Sequence, residues 1–164
     1  MKFKFDGNLD FQLETINAIV DIFKGQRRNG KSLPFIAENG IIPNELNIGE
    51  KKIFENLKEV QTNNNIKTNG HLEGMDFTIE METGTGKTYV YLRTILELNR
   101  KYGFQKYIII VPSVAIREGV LKSLQITKQH LKQIYDNASY NFYEYDSKKL
   151  SRIRQFSRNN IIIS

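Results

Sequence analysis

Residues 77–88 read FTIEMETGTGKT, and the fold turns on how these residues are parsed. Phe77, Ile79 and Met81 alternate with Thr78, Glu80 and Glu82, the two-residue period of a strand. Thr83-Gly84-Thr85-Gly86-Lys87-Thr88 follows as a glycine-rich turn. A helix is predicted from about Lys87, with Val90, Leu92, Ile95, Leu96 and Leu98 as its apolar positions and Gly103 as its stop. A strand that turns sharply into a helix aims several backbone N–H groups and the positive helix end at one point. Glycines there let the backbone close around a phosphate without Cβ interference. Lys87 is then placed to reach the β- and γ-phosphates of ATP, and the Thr88 hydroxyl to ligate Mg²⁺. Thr83, Gly84, Thr85, Gly86, Lys87 and Thr88 are therefore the candidate nucleotide-binding residues, with Lys87 and Thr88 in the catalytic roles. The full phosphate-loop pattern asks for glycine where this chain has Met81. The competing reading is a Gly/Thr-rich turn that happens to carry a surface lysine; the predicted strand and helix on either side argue against it.

Working outward, strands and helices alternate from Asp76 onward, the pattern of a parallel sheet with right-handed crossovers. Tyr107 to Val111 is a continuous apolar run closed by Pro112, as expected of a central strand buried on both faces. Ala115 to Ile134 reads as helix with a break near Thr127, and Tyr140 to Tyr145 as a further strand. Ser147 is set to cap a helix carrying Leu150, Ile153 and Phe156, and Ile161 to Ile163 open another strand. Toward the N-terminus, Asp10 precedes Phe11, Leu13, Ile16, Ile19, Val20 and Phe23, a 3.6-residue face with an N-cap type residue at its head and Gly25 at its tail. Between the two lies an irregular insert, residues 26–74, with a short helix around Ile53, Phe54, Leu57 and Val60 and a polar, mobile loop from Thr62 to Gly70. The expected organisation is an N-terminal helix (1–25), the insert (26–74) and the first part of an α/β domain (75–164).

The chain has 164 residues, about one domain's worth, and no cysteine. That excludes a disulfide scaffold, a cysteine zinc site and a cysteine nucleophile, and fits a reducing cytoplasm. No apolar run approaches the ~20 residues of a membrane helix, and MKFKFDGNLDF lacks a signal peptide's apolar core, so a soluble protein with no membrane partner is expected. The net charge of +6 is uneven. Residues 1–82 hold 10 basic and 13 acidic side chains, and residues 83–164 hold 14 basic and 5 acidic, a balance of −3 against +9. A polyanion partner or plain solubility explains the basic half equally well.

Two further segments carry candidate chemistry. Gln12 stands in the first turn of the N-terminal helix; its amide offers one donor and one acceptor, the pair that adenine's N7 and 6-amino group require. Alone it is an unremarkable surface glutamine, and the phosphate loop downstream is what favours adenine recognition. Val111-Pro112-Ser113-Val114-Ala115-Ile116-Arg117-Glu118-Gly119-Val120 takes a strand into a helix and places the Ser113 hydroxyl at the carboxyl edge of the sheet, where open α/β folds bind ligands. Such groups contact nucleic-acid backbone rather than bases. The alternative there is a simple helix cap, with Arg117 as a solvated charge.

The run FTIEMETGTGKTYVYLRTILELNRKYGFQKYIIIVPSVAIREGVLKSL resembles the N-terminal motor domain of the restriction (Res) subunit of type III restriction-modification enzymes, a branch of the superfamily 2 helicases. FQLETINAIVDIF resembles the same family's opening helix, and the likeness extends through YDSKKLSRIRQF, the insert excepted. METGTGKT joined to VPSVAIREGV is the specific part; TGTGKT alone says only phosphate-loop NTPase, and helicase-type loops commonly relax the Met81 position. The resemblance implies a RecA-like, doubly wound α/β fold in an ATP-dependent motor on double-stranded DNA. It also implies an attached endonuclease and a DNA-methylating modification subunit as partner. It implies that Gln12 reads adenine, that Gly84 to Thr88 bind phosphate and Mg²⁺, and that Ser113 and Arg117 touch DNA backbone. The departures are absences: no Asp-Glu pair for the second Mg²⁺ motif, no second motor domain with its arginine finger, and no carboxylate-rich nuclease site. A fragment is therefore expected, with little or no turnover of its own. The alternatives are the motor of another restriction system, a DNA repair helicase, a small-molecule kinase, or a DNA-binding module with a relic nucleotide loop.

Overall fold

A computed structural model describes residues 5–28, 44–67, 74–136, 140–145 and 161–163. It falls into two compact units. One combines Asn8–Arg27 with Leu46–Leu98; the other combines Met1–Gly7, Arg28–Glu45 and Asn99–Ser164.

In the first unit, helix α1 runs Asp10–Asp21 and buries Gln12, Ile16 and Val20, a stripe of four-residue spacing. The expected cap moves by one residue. Leu9, in extended backbone, occupies the cap position without a side-chain bond, and Asp10 lies in the first turn, where a carboxylate suits the positive end of the helix dipole. Beyond the helix Gly25 takes φ +98°, a conformation that turns the chain at little cost only in glycine. Helix α2, Glu50–Asn63, packs on α1 through Ile53 and Asn56, both fully buried. Asn56 Nδ2 donates to Ile22 O at 2.9 Å and to Lys24 O at 2.8 Å, so one amide satisfies two carbonyls just past the end of α1. Gln26 and Asn47 add a reciprocal pair, Asn47 N donating to Gln26 Oε1 at 2.7 Å and Gln26 Nε2 to Asn47 Oδ1 at 3.3 Å. The insert thus contributes a 14-residue helix that includes Thr62 and Asn63, where a loop was expected. The rest of the expected loop from residue 68 to 70 lies outside the described residues.

The strand expected at residues 77–82 is not formed. Among the described residues no ladder bonds join this segment to a neighbour, Ile79 is exposed, and Phe77 and Met81 are only half-buried. Alternation marks which side chains could share a face, but a strand also needs a partner for its N–H and C=O groups. Helix α3 does start at Lys87 and runs to Tyr102, burying Val90, Leu92, Ile95, Leu96 and Leu98, and Gly103 at φ +72° ends it.

In the second unit, strands β1 (Lys106–Ile108), β2 (Asn141–Tyr143) and β3 (Ile161–Ile163) form a parallel sheet in the order β1-β3-β2. Tyr107 and Phe142 both stand opposite Ile162. The parallel pairing agrees with the alternation of elements in the sequence, but β1 is an edge of this sheet, not its centre. It is three residues long, and Ile108 and Ile110 are exposed. Its outer edge is met by a side chain instead: Asn44 Oδ1 accepts from Gln105 N (2.7 Å) and Lys106 N (3.0 Å), and Asn44 Nδ2 donates to Lys106 O (2.6 Å). An amide with one acceptor and one donor here does what a neighbouring strand would do.

Helix α4 runs Val114–Ile134 without the break expected near Thr127, whose hydroxyl donates to Ser123 O at 2.7 Å inside a continuous helix. Its buried stripe is Val120, Leu124, Thr127 and Leu131. The helix expected after Ser147, with Leu150, Ile153 and Phe156, lies outside the described residues. No helix among the described residues is long and apolar enough to cross a membrane.

Candidate functional site

The turn before α3 depends on two glycines. Gly84 and Gly86 have φ of +84° and +83°, the left-handed region that side chains disfavour. Gly86 O accepts from Val90 N at 3.0 Å as the helix begins, so the N–H groups of the first turn have no partner within α3 and converge before Lys87. Three side chains close the loop. Thr85 Oγ1 and Lys87 Nζ both donate to Glu82 O, each at 2.7 Å. Gln12, 6% exposed, reaches from α1 to donate its Nε2 to Thr85 O at 2.9 Å. Gln12 packs so closely that a Cβ on Gly86 would lie 2.8 Å from its Nε2.

Gln12 therefore meets the loop in space although it lies 73 residues from Thr85 in sequence. Its Oε1 is buried with no hydrogen-bond partner, which leaves an acceptor unspent beside the loop. Thr83, Gly84 and Lys87 are exposed, and Thr88 is half-buried. Burial raises the Tyr91 phenol above its ordinary value, and the Thr88 hydroxyl acts against that shift. Among the described residues no group of three or more His, Asp or Glu could hold a metal ion. An exposed ammonium, first-turn N–H groups with no acceptor inside their own helix and a glycine backbone fit a phosphate chain and the cation that accompanies it.

Next to the loop is a cleft of about 440 Å³, lined by Phe11, Glu14 and Thr15 of α1, Asn64 just past α2, and Glu80, Met81, Glu82 and Thr85. Its size is that of a small-ligand pocket. This wall has no motif in the sequence. The spacing of Phe11, Glu14 and Thr15 places them on one helix face and could have suggested it, whereas nothing local marks Asn64.

Ser113 and Arg117 belong to the other unit. Ser113 caps α4, its Oγ accepting from Ile116 N at 3.3 Å. Arg117 is not a free solvated charge. Its Nη1 lies 2.9 Å from Glu144 Oε1, beyond β2, and its Nη2 lies 3.6 Å from Glu118 Oε1.

The family model described as type III restriction enzyme, res subunit, matches residues 10–164. The chain belongs to this family. It is 32% identical over 139 residues to the Res subunit of the type III restriction-modification enzyme EcoPI of Escherichia phage P1, a match that covers 82% of this chain. It is 33% identical over 142 residues to the EcoP15I Res subunit of Escherichia coli, covering 81%. A third relative, the StyLTI Res subunit of Salmonella typhimurium, is 48% identical over 61 residues, covering 36% of this chain and 6% of the relative. The chain spans 14% of the length of the first two. Family membership makes this the helicase-like part of a Res subunit, with the phosphate-loop NTPase fold of superfamily 2, and decides against a small-molecule kinase.

Proposed function

We propose that this chain is the ATP-binding part of a DNA translocase motor, which in the intact Res protein couples ATP hydrolysis to cleavage of double-stranded DNA. The supporting observation is the convergence of Gln12, Thr85 and Lys87 on one glycine-shaped loop. Lys87 exchanges the Glu82 carbonyl for phosphate oxygens and offsets charge that builds on the transferred group. Gly84 and Gly86 hold the backbone N–H groups toward the phosphates, and Thr83 and Thr85 shape the turn. Bound Mg²⁺ would be held by the Thr88 hydroxyl and would supply charge neutralisation of the phosphates. Gln12 reads adenine with the acceptor that is unspent here, and its amide links the base to the loop.

The larger reading is a RecA-like, doubly wound sheet of which β1, β2 and β3 are three strands. The N-terminal helix, the insert and the α/β region supply the base-reading, bracing and phosphate-binding parts. Ser113 and Arg117 contact DNA backbone, a DNA-methylating subunit is the partner, and the protein works in the cytoplasm. The test is Lys87→Ala in the intact protein. Lys87 is exposed and contributes little to the fold, so the variant should keep the wild-type circular dichroism and melting temperature while losing ATP hydrolysis and ATP-dependent cleavage. Wild-type turnover in the variant would refute the assignment.

A further inference from the structure

Arg117 lies just inside the N-terminal end of α4, a helix whose first turn contains no acidic residue. A cation there faces the positive end of the helix dipole and needs an anion to offset it. Glu144 is that anion, 2.9 Å from Nη1, with Glu118 more distant at 3.6 Å from Nη2. The guanidinium is nonetheless under-used. It carries five N–H donors in a fork suited to two oxygens at once, yet Nε is buried and donates to nothing. Neither partner is sealed in: the Arg117 side chain is 31% exposed and that of Glu144 37%. A phosphate group, with several unshared oxygens, would satisfy this fork better than one close carboxylate oxygen at 2.9 Å and a second at 3.6 Å.

We propose that Glu144 is a latch that holds Arg117 when no polyanion is bound and yields it to a backbone phosphate, so that Glu144 sets the affinity for DNA. This rests on the reading that the Ser113 to Arg117 segment touches DNA backbone. The Glu144 carboxylate positions the guanidinium and prevents it from collapsing onto other acceptors. It also competes with phosphate, so that binding must break one ion pair to make another. Glu144 is thereby an affinity-setting residue acting through Arg117, not a DNA contact itself.

The test is a double-mutant cycle in the intact protein, read as dissociation constants for two labelled duplexes of unrelated sequence across a range of salt concentrations. Arg117→Ala should weaken binding to both duplexes about equally and reduce the log–log salt slope by roughly one. Glu144→Gln should tighten binding by roughly two- to five-fold, the scale of a partly exposed ion pair. In the Arg117→Ala background the same change should do nothing. Glu144→Asp keeps the charge but withdraws the carboxylate by one methylene; it should also tighten binding, and it serves if the glutamine variant fails to fold. If Glu144→Gln weakens binding while Arg117→Ala also weakens it, the latch is refuted and Glu144 is a brace that aims Arg117. Equal tightening in both backgrounds refutes it as well, since the carboxylate would then act only by long-range repulsion. An Arg117→Ala variant with unchanged affinity and slope would remove the segment from the DNA site and overturn the underlying reading together with the latch.

Discussion

Gly86 and Gly84 share nearly the same backbone angle, φ +83° and +84°, but differ in what surrounds them. A Cβ on Gly86 would lie 2.8 Å from Gln12 Nε2, whereas one on Gly84 would have nothing within 4 Å. Alanine at either site brings the strain of a left-handed residue, about 1–2 kcal/mol. At Gly86 it must also push Gln12 aside, which breaks the 2.9 Å bond to Thr85 O and adds about 0.5–1.5 kcal/mol. The expected loss is therefore about 1–2 kcal/mol for Gly84→Ala and about 1.5–3.5 kcal/mol for Gly86→Ala, by urea unfolding. The difference belongs to Gln12. In a Gln12→Ala background, where the crowding atom is gone, the two glycine substitutions should cost the same. Equal costs in the wild-type background, or a gap that persists without the glutamine side chain, would show that Gln12 does not pack on the loop.

Other expectations follow from groups outside the loop. Asn56→Ala deprives the carbonyls of Ile22 and Lys24 of their amide donor in a fully buried position and should destabilise the chain by about 2–3 kcal/mol, measured as a fall in the urea midpoint at constant slope. Leu124→Ala, at a 1% exposed position on the buried stripe of α4, should cost about 2–5 kcal/mol by the same assay. The phenol of Tyr107, which donates to Phe104 O at 3.1 Å, is raised well above its ordinary value by burial, and those of Tyr140 and Tyr91 shift the same way. A group whose folded value is raised keeps its proton longer in the folded state. Its stabilisation is thus full below the ordinary phenol value near ~10 and is lost as pH climbs above it. Unfolding midpoints should fall through that alkaline range, and Tyr107→Phe should flatten the fall.

The helices were legible because each writes its own period. The stripe of Ile16 and Val20 in α1 and that of Val120, Leu124 and Leu131 in α4 are buried as their spacing requires, and α3 begins at Lys87 where the glycine turn ends. The glycine-rich turn before α3 was legible too, since its glycines and lysine are adjacent in sequence. The strands were harder. The apolar run at Tyr107 to Val111 resembles a central strand, but apolarity does not encode neighbours, and β1 lies at an edge with Ile110 almost wholly exposed. Residues 77–82 alternate correctly and still form no ladder among the described residues. The polar braces were not legible at all. Asn44, Asn56 and Glu144 act on groups 27–62 residues away, and single polar side chains with distant partners leave no local pattern. Gln12 is intermediate: its place in the α1 stripe is periodic, while its bond to Thr85 became visible only in three dimensions.

The central claim is that the loop from Thr83 to Thr88 holds the phosphates of ATP. It is tested most directly by titrating the isotope-labelled chain with Mg·ATP while following backbone amide resonances, a method suited to weak binding. The expected result is that the largest shifts fall on Gly84, Gly86, Lys87 and Thr88, with Gln12's side-chain amide moving in step, and that they vanish in Lys87→Ala. Resonances of the loop that stay fixed while others move, or a Lys87→Ala chain that responds like the wild type, would contradict it.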